Sequence, residues 1–340
     1  MISFKPKQLS KKLLNSINDR AQEVIYNRFG LGEDAERKTL ETVGKKYGIT
    51  RERVRQIESA ALNSIKKSDI YESESGSFDE LHRLIDSLGA IIAEEELLSL
   101  MSKEKGTQNH IHFHLVLCDH FTKHKEDDNF KSRWSIDGDL ADIIHSSLKN
   151  LYEGLEDNEI IPQSEMISRF LNEIKDVSEK YKDEEILKRW LSMSKNLGAN
   201  PLGEWGKAES PNVRVRGIRD YSYLVMKRHG SPMHFREIAK AIGETFKRKA
   251  HIATTHNEVI KDKRFVLVGR GVYALAEWGY TKGVVRDVIK GILKKESPLP
   301  KEEIIARVMK ERYLKKNTIL VNLQNSKYFK KTKDGLYTLV

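Results

Sequence analysis

The run from Thr39 to Glu58, TLETVGKKYGITRERVRQIE, constrains the fold more tightly than any other stretch of this 340-residue chain. Thr39 is placed as an N-cap, and Leu40, Val43 and Tyr47 follow at helical spacing. Gly48 supplies the positive φ that ends a helix and turns the chain, and Thr50 is placed to cap the next one. Val54, Ile57, Ala61, Leu62 and Ile65 then form one apolar stripe at i, i+3, i+7, i+8 and i+11. The opposite face carries Arg51, Glu52, Arg55, Gln56 and Ser59. Two short amphipathic helices around a three-residue break, the second opening on a dense polar face, predict a helix-turn-helix. Arg bonds guanine bidentately, Gln reads adenine and Glu accepts from cytosine, so Arg51, Glu52, Arg55 and Gln56 are the candidate base readers.

Charge is distributed unevenly. The net +10 of the chain divides into +4 over residues 1–76, −11 over 77–206 and +17 over 207–340. The basic ends suit a polyanion, while the acidic middle would be repelled by DNA and points to protein partners. A 39% hydrophobic content supports packed cores, and 32% charged residues suggests small domains with much surface. The single cysteine, Cys118, excludes an internal disulfide and fits a reducing cytoplasm. No apolar run approaches the roughly 18 residues of a membrane span. The opening MISFKPKQLSKK lacks the apolar centre of a secretory signal.

The stretch from about Leu13 to Lys67 resembles region four of the primary sigma factors of bacterial RNA polymerase. VIYNRFGL (Val24 to Leu31) is similar to the helix and turn that precede the family's helix-turn-helix, and RERVRQIE (Arg51 to Glu58) to its recognition helix. The resemblance implies that Arg51, Glu52 and Gln56 read a promoter hexamer, and that Arg28, Thr39, Arg53 and Arg55 contact or approach phosphates. It implies double-stranded DNA as partner and, through the flap of the β subunit, the RNA polymerase core. The setting it implies is the bacterial nucleoid. The promoter-melting and core-clamping regions of a sigma factor have no counterpart here. The chain is therefore expected to recognise a promoter without opening one alone.

The last third contains a duplication. Phe265, Tyr273 and Leu275 recur 64 residues later as Phe329, Tyr337 and Leu339. In each copy the Phe and Tyr bracket a hairpin, turned at Gly269-Arg270-Gly271 or at Asp334-Gly335. Helical stretches near 220–229, 235–242 and 251–262 precede the first hairpin, and others near 284–295, 301–312 and 316–324 the second. Three helices and a hairpin make a winged helix. The segment Gly217 to Tyr280 resembles the HARE helix-turn-helix domain, a family that includes the N-terminal domain of the polymerase delta subunit. Charge and position make Lys247, Arg248, Lys249, Thr254, Thr255, His256, Asn257 and Arg270 its candidate DNA contacts, with protein binding as the alternative use of such a domain.

The acidic middle has the pattern of two further, degenerate copies. Helices are predicted at 81–88, 91–101 and 112–121, then at 140–155, 165–177 and 183–197. Glu204-Trp205-Gly206 parallels Glu277-Trp278-Gly279. Glu72 to Ser77 (ESESGS) has the composition of a linker, and residues 196–211 that of a connection packed through Trp205.

His110, His114 and Cys118 would share one helix face and could offer three zinc ligands. No Cys-x-x-Cys or paired spacing accompanies them, and the alternative is a helix with surface histidines and a buried Cys118. Glu-x-Lys occurs at Glu36–Lys38 and Glu173–Lys175, without a strand bearing an Asp beside either. There is no P-loop, nucleophile elbow or dinucleotide-binding turn. No catalytic residue, metal or cofactor is therefore expected, and the chain is not expected to be an enzyme.

The expected fold is mainly α: an N-terminal helix-turn-helix followed by tandem winged helices with short β-hairpin wings, strung like beads. Its segments are 1–72 (sigma region-four-like), 78–138 and 139–206 (degenerate, acidic), 214–281 (HARE-type) and 282–340 (a last winged helix). The leading function is a bacterial sequence-specific DNA-binding transcription factor or polymerase accessory protein. Two alternatives stay open: a scaffold that regulates polymerase or sigma use, and a DNA-processing component.

Overall fold

The first four helices are set by the residues at their ends. The computed structural model describes residues 2–280 and 283–340, and in it α1 (Pro6–Leu14), α2 (Asp19–Phe29), α3 (Leu40–Tyr47) and α4 (Arg51–Lys66) come first. Side chains of Asn18, Thr39 and Thr50 accept from the N–H groups of Ala21, Thr42 and Arg53, each satisfying an orphan donor of a first turn. Gly48 stops α3 in the left-handed region at φ 65°.

Two compact units hold the chain, residues 1–199 with 203–209 and residues 200–202 with 210–340. In the first, α5 (Asp69–Ser73), α6 (Ser75–Ser87), β1 (Ile91–Ala93), α7 (Glu94–Met101), α8 (Lys105–Leu117), β2 (Thr122–His124) and β3 (Arg133–Ser135) follow. Then come α9 (Gly138–Glu153), α10 (Gln163–Glu173), α11 (Glu184–Met193), β4 (Leu197–Ala199) and β5 (Trp205–Lys207). The second unit has α12 (Ile218–His229), β6 (Met233–His234), α13 (Phe235–Phe246), α14 (Ile252–Lys261), β7 (Phe265–Gly269) and β8 (Val272–Leu275). It continues with α15 (Val285–Lys295), α16 (Lys301–Glu311), α17 (Lys316–Leu323), β9 (Phe329–Lys331) and β10 (Tyr337–Leu339).

One topology recurs after α4. A helix leads to a short strand, two more helices follow, and the second strand of a hairpin returns to the middle of the sheet. The order is β1-β3-β2 in one copy and β6-β8-β7 in another, all antiparallel. In the other two copies the first strand shrinks to a single bridge, Ile161 to Trp205 on β5 and Leu299 to Tyr337 on β10. This is the winged-helix arrangement, so the fold is mainly α, a helix-turn-helix followed by tandem winged helices. The 64-residue duplication is also a duplication of register: Phe265 pairs Leu275 as Phe329 pairs Leu339, and Leu267 pairs Tyr273 as Lys331 pairs Tyr337.

The beads expected at the N-terminus share a core. Leu9, Leu13, Leu14, Ile25 and Phe29 of α1 and α2 are buried in one cluster with Ile111, Phe113, Leu115 and Leu117 of α8. The rings of Phe29 and Phe113 meet edge to face at 5.2 Å, and Ser10 Oγ lies 2.9 Å from His114 Nε2. A second core joins Ala90, Ile91 and Ala93 to Leu187 and Trp190 of α11. There Trp190 Nε1 donates to the carbonyl of Gly89 at 3.1 Å.

Several local expectations change. Residues 72–77 are not a linker: they lie in α5 and at the start of α6, anchored on either side by Tyr71 and the buried Phe78, whose rings stand 4.9 Å apart. The helix expected over 91–101 opens as β1, because Ile91, Ile92 and Ala93 are buried against β3. Trp205 is packed as expected, but its structural counterpart is Trp134. Both stand on the returning strand of a hairpin, whereas Trp278 lies in a 3-10 turn after β8. The histidines of α8 are core residues, not surface ones: His110, His112 and His114 are all buried. The segment boundary expected between residues 281 and 282 lies outside the described residues.

Candidate nucleic-acid interface

The geometry of α4 comes from a small core of valines. Val24, Val43 and Val54 are buried together, with Leu40, Tyr47, Ile49 and Ile57 packed around them. The turn between α3 and α4 closes on Gly44, whose carbonyl accepts from the Ile49 N–H at 3.0 Å. A Cβ at Gly44 would stand 2.6 Å from the Ile49 carbonyl oxygen, so only glycine lets α4 approach α3 this closely. Gly48 has open space about it and is required for its φ alone. The sequence pattern credits the turn to Gly48 and passes over Gly44. The available signal is a glycine inside a helix, where it costs about 1 kcal/mol relative to alanine.

With the valines facing inward, Arg51, Glu52, Arg53, Arg55, Gln56 and Ser59 stand away from that core, and all but the half-exposed members of the helix flank are open to solvent. Four of them are paired with one another. Both oxygens of Glu52 accept from Arg55, from Nε at 3.0 Å and from Nη2 at 2.7 Å, and Arg53 Nη1 donates to Gln56 Oε1 at 3.1 Å. The bond from Arg55 holds the Glu52 carboxyl below its usual range, and Glu52 raises Arg55 in turn. Exposed pairs of this kind are weak and exchange readily for a better partner. Arg51 has no side-chain hydrogen-bond partner among the described residues. Thr39 is exposed and committed to capping α3, its Oγ1 3.1 Å from the Thr42 amide. Arg28 is not free for phosphate: its Nε pairs with Glu58 at 2.7 Å, tying α2 to the reading helix.

In the winged helix over α12–β8, the third helix α14 and the wing β7–β8 bring most of the candidate contacts to the surface. Lys247, Arg248, Lys249, Thr254, Asn257 and Arg270 are exposed. Arg248 rests over Tyr221, with Cζ 5.0 Å from the ring centroid. Thr255 must be withdrawn as a DNA contact: it is fully buried, and its Oγ1 donates to the His251 carbonyl at 3.0 Å. His256 stacks on Phe235 at 4.2 Å, and Phe235 on His234 at 4.4 Å. The wing tip seats against this stack at Gly271, φ 73°, where a Cβ would meet His234 Nε2 at 2.6 Å. The same surface exposes Ile252, Ile260 and Leu267, so it is amphipathic rather than purely basic. One organising residue has no signal in the sequence pattern. Arg264 bonds Asp220 at 2.7 Å and Asp262 at 2.6 Å, and its guanidinium lies 5.2 Å from the Tyr223 centroid.

The other constellations do not assemble. Among the described residues no group of three or more His, Cys, Asp or Glu side chains is placed to hold a metal ion. Burial pushes His114 down to about 3, and Cys118 is buried without a disulfide. Glu36–Lys38 lies in the loop before α3, and Glu173–Lys175 spans the end of α10.

Two family models match the chain. Residues 13–67 match sigma-70, region 4, and residues 218–278 match HARE-HTH, the helix-turn-helix domain of ASXL and restriction endonuclease proteins. One segment is sigma-like and another is HARE-like. Curated relatives of the sigma-like segment include the RNA polymerase sigma factor RpoD of two Helicobacter pylori strains, 26695 and J99. Each is 46% identical over 56 residues, a match covering 16% of this chain and 8% of the relative's length. Both matched families are DNA-binding helix-turn-helix domains. Among the described residues no helix is long and apolar enough to cross a membrane.

Proposed function

We propose that this chain is a bacterial transcription protein that finds promoter-type DNA through α4. Arg51, Glu52, Arg55 and Gln56 read base edges, Arg53 and Thr39 meet flanking phosphates, and the basic C-terminal unit adds grip. Segments 1–72, 78–138, 139–206, 214–281 and 282–340 are the working modules of this proposal, set in the cytoplasm at the nucleoid. The observation that carries it is the free reading face of α4. Four side chains able to read bases stand exposed on one side of a helix whose other side is fixed by the valine core. Binding-site selection on the full chain tests it. Arg51→Ala with Gln56→Ala is expected to lose sequence preference while keeping sequence-independent binding. Unchanged preference sinks the assignment.

A second reading, a scaffold that regulates polymerase or sigma use, draws support from Ile252, Ile260 and Leu267 on the surface of the HARE-like module. In that case the HARE-like module binds protein. The covering of α1 and α2 by α8 bears on polymerase docking, since that side of the sigma-like module is already occupied. Salt separates the readings. DNA binding through several Lys and Arg weakens steeply as salt rises, and a scaffold shows little duplex affinity at any salt.

A further inference from the structure

Tyr328, just before β9, has three cations about its ring. Lys290 Nζ stands 4.1 Å from the centroid, Arg286 Cζ 4.6 Å and Lys327 Nζ 5.8 Å. Arg286 and Lys290 are one turn apart on α15, and Lys294 continues the stripe a turn further on. The other side of α15 sends Val288, Ile289, Ile292 and Leu293 into the core. Like charges at i,i+4 destabilise a helix, so the stripe works against its own fold. No carboxylate pairs with Lys290, Lys294 or Lys327 among the described residues. Asp287 lies 3.5 Å from Arg286 Nε, and its other oxygen accepts from the Val284 N–H at 3.1 Å. Arg286 Nε is buried with no hydrogen-bond partner.

We propose that Arg286, Lys290, Lys294 and Lys327 bind the sugar-phosphate backbone of duplex DNA, outside both matched helix-turn-helix segments. The inference rests on the DNA reading above. It is a backbone contact because the faces of Tyr328 already carry cations, leaving no platform on which a base stacks. Lysines are point charges, suited to phosphate and indifferent to sequence. Duplex DNA is favoured over an acidic protein because both matched segments of this chain belong to DNA-binding families.

The test compares the full chain with its Lys290→Ala/Lys294→Ala/Lys327→Ala variant on a labelled duplex of arbitrary sequence, titrated across salt. Each phosphate contact contributes roughly 0.9 to the slope of log K against log salt, so the slope is expected to fall by about 2 to 3. The site preference set by α4 is expected to stay unchanged. An unchanged slope, with wild-type binding intact, overturns the proposal. So does a variant that loses binding to polyglutamate while its duplex binding is unaltered. If the wild type binds no duplex at all, the DNA reading falls and the stripe with it. The Arg51→Ala/Gln56→Ala variant tells the two contributions apart, since it keeps the stripe and should keep most of the slope.

Discussion

The third helix of a winged helix has two different fates in this chain. In the acidic first unit, α8 buries every residue from Asn109 to Leu115, and α11 buries Ile186, Leu187, Trp190, Leu191 and Met193. In the basic second unit, α14 buries only Thr255 and Val259, and α17 only Ile319 and Leu323. The charges follow the same division, −11 over residues 77–206 and +17 over 207–340. A helix packed on all sides has no face to lay in a groove, and an acidic surface would be repelled from one. Position in the topology therefore does not assign a use. What decides it is whether the helix retains a face beyond the one its own core consumes.

The strongest way to break this contrast is to empty the packing around α8. Phe113 is fully buried against Phe29, so Phe113→Ala is expected to cost about 3–5 kcal/mol. The sigma-like helices and the winged helix that covers them should lose structure in one transition on chemical denaturation. Separate transitions would restore the independent beads. Asn257→Ala, on the exposed side of α14, should fall within about 0.5 kcal/mol of wild type.

Acid should sharpen the contrast. Burial pushes His114 from 6.5 down to about 3 and lowers His112 as well. The unfolded chain then binds protons that the folded one refuses, so stability is full above pH 6.5 and declines as pH falls toward 3. At pH 5 His114 alone removes about 2 kcal/mol. The second unit buries no histidine among the described residues, so the first should unfold earlier in an acid titration followed by tryptophan fluorescence. Simultaneous loss of both units would count against this.

The smallest effect in free energy tests the turn. Gly44→Ala gains roughly 1 kcal/mol of helix propensity and loses roughly 1–3 kcal/mol by crowding the Ile49 carbonyl. The net loss of stability is about 1 kcal/mol, but the relief comes from moving α4, so sequence preference should drop more than stability does. Gly48→Ala strains one φ and leaves that distance alone, so its preference should hold.

Local chemistry was legible in the sequence and distant packing was not. Thr39, Gly48 and Thr50 announced the ends of α3 and α4 because capping is decided within a turn of the chain. The hairpins were legible because Gly and Asp-Gly turns flank a repeated Phe and Tyr. The role of α8 was hidden: His114 meets Ser10, a residue 104 positions away, and a helix buried on all sides has no polar face for periodicity to detect. The first strands were missed because two or three residues, or one bridge, are too few to show alternation. In the candidate site, the exposed readers of α4 followed from their stripe. Thr255 failed because a run of polar residues on a short helix does not say which one turns inward.

Identical registers in tandem hairpins create a hazard during folding, since either β-ribbon could seat on its neighbour's helices. The side chains remove it. Where β7 offers Val266, buried with Val268 and Ala274, β9 offers Lys330, and Lys331 replaces Leu267 at the next step. A ribbon exchanged between copies would drive the Lys330 ammonium into the apolar site of Val266, a cost no hydrogen bond there would offset. The lysines on β9 thus act as an address, keeping each ribbon with the helices that precede it.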